Sequence, residues 1–123
     1  KVAGREVLVL SNRGRELLVG EKIKPAALAA AWQKRVGDYL IENLGDDFPL
    51  VEKIQIRFDN GLLLIECSLS LLSRNTMSFI LEPLSDTEAV IAGLGSGMGE
   101  TIRVLTVNGR EVLSYSGYLL RKK

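Results

Sequence analysis

The sequence predicts a mostly β domain, an antiparallel up-and-down barrel of about eight short strands with one short helix. Three observations favour this fold class. Short apolar or alternating runs of strand length recur along the chain, as in residues 52–58 and 75–81. Two pairs, Asn60-Gly61 and Asn108-Gly109, separate such runs and are typical of two-residue hairpin turns. Only residues 26–35 have a helical composition. A sandwich of two sheets would also bury the strand edges and stays open as the alternative.

The first predicted element is a hairpin at the N-terminus. Residues 6–10 and 15–19 are apolar runs of strand length, and the Ser-Asn-Arg-Gly sequence at 11–14 has the composition of a turn. We expect residues 1–24 to form an N-terminal hairpin or connecting segment and residues 25–123 to form the barrel domain. Because the chain starts at Lys1 rather than Met, we expect it to be processed or cut from a longer polypeptide.

The one predicted helix covers residues 26–35, which read AALAAAWQKR. Pro25 suits the first helical position, and Gly37 is placed to stop the helix. Leu28 and Trp32 are four residues apart and share one helical face. Trp32, the only tryptophan, either covers one end of the core or contacts a ligand at a pocket mouth.

The clearest hairpin surrounds Asn60-Gly61, whose turn fixes the register of its strands. Six side chains then share the buried face, in the opposing pairs Phe58 and Leu63, Ile56 and Ile65, and Ile54 and Cys67. We expect Cys67 to be a small core residue rather than a nucleophile, because an apolar site raises the pKa of a thiol. Leu62 and Leu64 interrupt the polar outer face, so we expect something to cover them.

The last hairpin joins residues 101–107 to residues 110–116. Its register sets Val104 opposite Leu113 and Ile102 opposite Tyr115. Residues 117–120 are expected to continue the final strand, and the basic residues 121–123 are expected to form a solvated tail. Shorter strands are predicted over residues 38–43 and 87–92.

The predicted inward-facing side chains carry no charge. A barrel of about eight strands is either filled by side chains or holds one small ligand, and both alternatives stay open. If a ligand site exists, its candidate residues are Trp32, Tyr39, Ile54, Ile56, Phe58, Leu63, Ile65, Met77, Phe79 and Tyr115.

The composition excludes several kinds of chemistry. The 123-residue chain has no histidine and one cysteine, which excludes a Ser-His-Asp triad, a His-ligated metal site and an internal disulfide. A net charge of +1 lacks the basic excess of a nucleic-acid binder. No apolar segment is long enough to span a membrane. We expect no metal and no cofactor.

Two local motifs have residues that could carry chemistry but lack a specific pattern. The glycine-rich stretch 93–99 has Met98 and Glu100 where a dinucleotide fingerprint needs glycine. Neighbouring carboxylates occur at residues 46 and 47 and at Asp86 and Glu88, all in loop or turn sequence. A small enzyme that uses carboxylates alone therefore stays as a third hypothesis, without a specific signal.

Several segments resemble the lipocalin-like barrel found at the C-terminal end of serine beta-lactamase-like hydrolases, which are penicillin-binding-protein-type esterases and peptidases. Residues 29–39 (AAAWQKRVGDY) resemble its entry pattern of an aliphatic or aromatic residue followed by R-x-G-x-Y. Residues 58–62 (FDNGL) resemble its Asp-Gly or Asn-Gly hairpin, and residues 81–88 (LEPLSDTE) resemble a strand exit of the form L-x-P-x-S-D-x-E. Residues 99–104 and 116–121 resemble its closing strands.

The resemblance implies a non-catalytic accessory domain. Family members carry Ser-x-x-Lys and Tyr-x-Asn in the preceding domain. Here Ser-x-x-Lys is absent and Tyr115-Ser116-Gly117 is not Tyr-x-Asn, so no catalytic residue is carried over. The implied partner is an N-terminal hydrolase domain of the same polypeptide, to which residues 9–14 would belong as a connection.

Such barrels contribute to substrate access, domain packing or contacts between subunits in a homo-oligomer. The parent would then be a bacterial protein of the periplasm or the extracellular space. The alternative function is that of a stand-alone binding protein for a small apolar ligand.

Overall fold

A computed structural model describes residues 4, 6–22, 27–44, 51–69, 76–93 and 99–123 of the chain. Eight antiparallel strands close into an up-and-down barrel in the order β10-β3-β4-β5-β6-β7-β8-β9, which confirms the predicted fold class. The barrel strands are β3 Gly37–Ile41, β4 Val51–Asp59, β5 Leu62–Leu69, β6 Thr76–Pro83, β7 Glu88–Ile91, β8 Thr101–Val107, β9 Arg110–Tyr115 and β10 Tyr118–Lys122. Closure leaves the barrel without an unpaired edge.

A separate two-stranded sheet precedes the barrel. Strands β1 Val7–Asn12 and β2 Arg15–Glu21 form the predicted N-terminal hairpin. Its turn consists of Arg13 and Gly14, with φ angles of 49° and 78°, as in a two-residue hairpin turn. The amide of Lys22 donates a hydrogen bond of 2.8 Å to the carbonyl oxygen of Glu6, which extends the pairing beyond β1 and β2.

The Asn-Gly turns place the central and last hairpins in the predicted registers. Asn60 and Gly61 have φ angles of 49° and 76°, and the three predicted pairs of β4 and β5 are all formed. In the last hairpin, Val104 pairs with Leu113 as predicted. A turn that requires two positive φ angles selects Asn-Gly, and this choice sets which side chains face inward.

The end of the chain differs from the prediction. Instead of continuing β9, the chain reverses at Ser116 and Gly117, with φ angles of 48° and 83°, and forms β10. This strand pairs with both β9 and β3 and thereby closes the barrel. Residues 121 and 122 belong to β10 rather than to a tail, although Lys122 and Lys123 are exposed as predicted. Arg121 Nε donates to Glu42 Oε1 at 2.6 Å. Lys122 donates from Nζ to the Lys34 carbonyl, also at 2.6 Å.

The predicted helix is reduced to a single turn, α1, Ala30–Gln33. Residues 27–29 are not helical, and Ala29 has an extended ψ of 143°. The expected start at Pro25 and residue 26 lies outside the described residues. A single helical turn has little intrinsic stability. The packing of Trp32, which is fully buried, therefore limits the helix to one turn despite the high helix propensity of the segment.

The alternating strand directions define two ends of the barrel. One end, the Trp32 end, carries α1 and the turns β4–β5, β6–β7 and β8–β9. The opposite end, the far end, carries the turn at Ser116 and Gly117 and the connections β3–β4, β5–β6 and β7–β8. Within the residues described, no helix is long and apolar enough to cross a membrane.

Candidate functional site

The barrel interior is occupied by one cluster of buried side chains. Its members are Trp32, Tyr39, Ile54, Ile56, Leu63, Ile65, Cys67, Leu81, Ala89, Ile91, Ile102, Leu113 and Leu120. They come from α1 and from every barrel strand, and on the strands they follow the alternation that turns every second side chain inward. These inward side chains form the apolar core of the barrel as far as the structure describes it.

The candidate ligand-binding residues fall into three groups in the structure. Six belong to the buried cluster: Trp32, Tyr39, Ile54, Ile56, Leu63 and Ile65. Phe79 and Tyr115 are partly buried and pack against it. Phe58 and Met77 do not have the predicted burial, since about two fifths of each side chain is exposed. Phe58 lies near the end of β4 and Met77 near the start of β6, where too few neighbours remain to cover an inward side chain.

Trp32 covers the core at the Trp32 end. Its indole Nε1 donates a 2.8 Å hydrogen bond to the carbonyl oxygen of Ser85 in the β6–β7 turn. The guanidinium carbon of Arg35 lies 4.8 Å from the centre of the indole ring, within the range of a cation–π contact. Trp32 therefore links α1 to a distant turn, and its one polar atom is satisfied inside the protein.

Arg35 is buried, with 7% of the residue exposed, and each of its three guanidinium nitrogens donates a hydrogen bond. Nε and Nη2 donate to the two carboxylate oxygens of Glu111, at 2.8 and 3.1 Å. Nη1 donates to the carbonyl oxygen of Asp86 at 2.6 Å. The hydrogen bonding of Arg35 to the Glu111 carboxylate is the main cause that lowers the pKa of Glu111. A buried cation requires such partners, because an unpaired charge would remain poorly solvated.

Tyr39 completes this group of side chains. Its hydroxyl donates to the carbonyl oxygen of Arg35 at 2.7 Å. Burial of the hydroxyl and the negative charge of Glu111 raise the pKa of Tyr39, and the positive charge of Arg35 lowers it. The net effect raises the pKa of Tyr39 to about 12. Tyr39 is therefore protonated at neutral pH and is not a general base. Its contacts hold the junction between α1 and β3 in place.

Two polar side chains, Cys67 and Tyr115, face inward at the far end of the barrel. Strands β5 and β9 are opposite each other in the eight-stranded ring, and they carry the inward side chains Cys67 and Tyr115. Burial raises the pKa of the Tyr115 hydroxyl, and the neighbouring Glu100 carboxylate and Cys67 sulfur raise it further. Glu100 is not among the residues that the sequence predicts for the site. Its position just before β8 carries no local signal of this contact.

Cys67 belongs to the core, as expected. It is buried between Ile54 and Met77 on the neighbouring strands. Burial raises the pKa of its thiol, which keeps the sulfur protonated and weakly nucleophilic at neutral pH. Burial thus raises the pKa of both the Cys67 thiol and the Tyr115 hydroxyl.

Of the candidate carboxylates, the structure describes Asp86 and Glu88, which lie in the β6–β7 turn and at the start of β7. Glu88 accepts a hydrogen bond from Arg103 Nε at 3.2 Å, and Asp86 is exposed in the β6–β7 turn. Residues 46 and 47 and residues 94–98 of the glycine-rich stretch lie outside the described part of the chain. Over the described ranges, no group of three or more potential ligand side chains is placed to hold a metal ion.

The outer apolar residues Leu62 and Leu64 are half-buried. Leu64 lies opposite Arg57 on one side and Ile80 on the other, so its neighbours on the sheet cover part of it. The expectation that something shields these leucines is met in part by the barrel surface itself.

Six exposed large apolar side chains lie on the hairpin β1–β2. Leu10 pairs with Leu17 on one face, which we call the Leu10 face, and Val9 pairs with Leu18 on the other, the Val9 face. With Leu8 and Val19 these residues are between 40% and 67% exposed. Both faces of this two-stranded sheet are therefore apolar and exposed to water. An isolated hairpin of this kind has at best marginal stability.

Comparison with known proteins does not place the chain in a family. No protein-family model matches the sequence, and neither curated proteins nor solved structures give a match. The features that bear on function are thus the buried cluster inside the barrel and the exposed apolar hairpin.

Proposed function

We propose that this chain is the non-catalytic accessory barrel of a serine beta-lactamase-like hydrolase, attached to the hydrolase domain through the hairpin β1–β2. The observation that carries the proposal is the exposure of large apolar side chains on both faces of that hairpin. Burying such surface is the main favourable term in the association of domains. A hairpin that is apolar on both faces is expected to be covered in the complete protein.

The interior of the barrel supports a structural role rather than a catalytic one. The ionisable groups it contains are tied into pairs or held neutral by burial, as for Arg35 with Glu111 and for Cys67. A catalytic group needs a pKa near the working pH and access to a substrate. The resemblance of residues 29–39 and 81–88 to the accessory barrel points the same way.

Serine substitutions in the complete polypeptide test this proposal. Leu17 in the hairpin and Leu84 in the β6–β7 turn are almost equally exposed, at 62% and 61%. We expect Leu17→Ser to lower the melting temperature of the complete polypeptide by several degrees, because it removes a domain contact. Leu84→Ser is the matched control and should leave it unchanged. Equal melting temperatures for the two variants would contradict the proposal.

The alternative of a carrier for a small apolar ligand has weaker support. The described interior side chains form one buried apolar cluster, and partly buried neighbours such as Leu28 and Tyr115 lie at both ends of the barrel. Native mass spectrometry of gently purified protein distinguishes the two functions. The accessory barrel predicts the bare mass of the chain, whereas a bound apolar molecule would favour the carrier.

A further inference from the structure

The two strands of the hairpin present different outer edges. Asn12 and Arg15 flank the two-residue turn and therefore form a hydrogen-bonded pair. Alternation along the ladder makes Val9 and Leu18 a pair without mutual backbone hydrogen bonds. The amide and carbonyl groups of Val9 consequently point to the free edge of β1, and those of Leu18 point to the free edge of β2.

Charge distinguishes these two edges. The β1 sequence, VLVLSN, contains no charged residue, whereas β2 contains Arg15 and Glu16. Natural sheets protect an exposed edge with charged side chains, because an uncharged edge pairs with any available strand. By this criterion β2 has the composition of a terminal strand, and β1 has the composition of a strand that is paired on both sides.

The apolar side chains indicate what covers the two faces. Strands that are covered on one side alternate apolar and polar residues, whereas strands covered on both sides have continuous apolar runs. Residues 7–10 and 17–19 are such continuous runs. The exposed side chains on the Leu10 face and on the Val9 face therefore require two covering layers.

A second copy of this chain does not satisfy these requirements. Joining two copies through their β1 edges would leave the Leu10 face and the Val9 face of both hairpins in water. The hairpin, residues 7–21, is also smaller than the roughly 20–30 residues per side of a standard stable interface. The occupant must instead bring both a strand and layers that lie on either face of it.

We infer that β1–β2 forms the last two strands of the hydrolase domain's own sheet. In this arrangement β1 pairs with a strand of the hydrolase domain, β2 is the terminal strand, and layers of that domain cover the Leu10 face and the Val9 face. The inference rests on the proposed function and specifies the partner surface.

Hydrogen exchange with matched proline variants tests this arrangement in the complete polypeptide. The amides of Val7, Val9 and Ser11 should exchange at least about tenfold more slowly than in the 123-residue chain, whereas those of Glu16 and Leu18 should not change. Val9→Pro should abolish the added protection, because it removes an edge donor and blocks pairing. Leu18→Pro removes the corresponding donor from β2 and should leave the protection intact.

Each contrary outcome identifies what has failed. If both edges or neither edge gains protection, the assignment of β1 as the paired strand is wrong, while the proposed function stands if a hydrolase domain is encoded. If the 123-residue chain forms a dimer that Val9→Pro converts to a monomer, a second copy is the occupant and the inference is overturned. If the complete polypeptide contains no hydrolase domain, the proposed function fails and the inference fails with it.

Discussion

Arg35 and Glu111 form a two-pronged ion pair across the Trp32 end of the barrel, with N–O distances of 2.8 and 3.1 Å. Arg35 follows α1 and Glu111 lies in β9, 76 residues later in the chain. The same guanidinium group contacts the ring of Trp32 and the carbonyl oxygen of Asp86. This one side chain therefore joins the start of the barrel to β9 and to the β6–β7 turn.

The ion pair should contribute measurably to stability. Glu111→Gln removes the charge that compensates the buried Arg35, and we expect a loss of about 1–2 kcal/mol in the free energy of unfolding. The control is Glu88→Gln, which breaks the exposed pair with Arg103 and should cost less than about 0.5 kcal/mol. Urea denaturation of both variants checks the difference. Equal losses would mean that burial of Arg35 does not strengthen its pair.

The same pair should make the fold sensitive to acid. The pKa of Glu111 is lowered from its ordinary value of 4.5, mainly by the hydrogen bond from Arg35. The stability that this carboxylate contributes is fully present above pH 4.5 and is lost as the pH falls through the lower pKa of the folded state. Urea midpoints measured from pH 7 downwards should therefore fall less steeply for Glu111→Gln. Parallel curves for the variant and the wild type would contradict this assignment.

Tyr39 should control the alkaline limit of stability. Its pKa is about 12 in the folded state against 10 for an ordinary tyrosine, so its contribution is fully present below pH 10 and is lost as the pH rises through about 12. Tyr39→Phe removes the hydrogen bond to Arg35 and should cost about 1 kcal/mol at pH 7. Absorbance of tyrosinate should show a late titration step that is missing in Tyr39→Phe. A late step that persists in the variant belongs to another tyrosine and would refute the assignment.

Alanine substitutions at two neighbouring inward positions of β4 should lower the free energy of unfolding by clearly different amounts. Ile56 is fully buried, whereas Phe58 is 41% exposed at the end of the strand. Ile56→Ala should cost about 2–5 kcal/mol, because it leaves a cavity in the core. Phe58→Ala removes a larger side chain but should cost less, since much of that side chain already contacts water. Thermal or urea unfolding measures both losses, and the reverse order would contradict the placement of the core.

The turns explain why much of the fold can be predicted from sequence. Asn60-Gly61 and Asn108-Gly109 select a turn that few other pairs adopt, and the turn fixes which residues oppose each other. Ser116-Gly117 adopts the same left-handed conformation, yet a Ser-Gly pair is a weaker signal, so β10 is missed. Alternation predicts which side chains face inward, but whether neighbours cover Phe58 depends on how the barrel ends.

The polar contacts of the site are beyond sequence reasoning for a different reason. Arg35 meets Glu111, and Glu100 meets Tyr115, only after the strands have closed into a ring. No spacing along the chain links these residues. The helix is overestimated for a related reason, because the propensity of residues 27–31 is a local property, whereas the burial of Trp32 is imposed by the whole barrel.

The most direct test of the accessory-domain account is to sequence the coding region upstream of Lys1. The account predicts an in-frame hydrolase domain that contains both Ser-x-x-Lys and Tyr-x-Asn. The exposed hairpin would then be the junction between the two domains. A start codon or a signal peptide immediately before Lys1 would contradict the account, because no hydrolase domain would be present in the polypeptide to cover the hairpin.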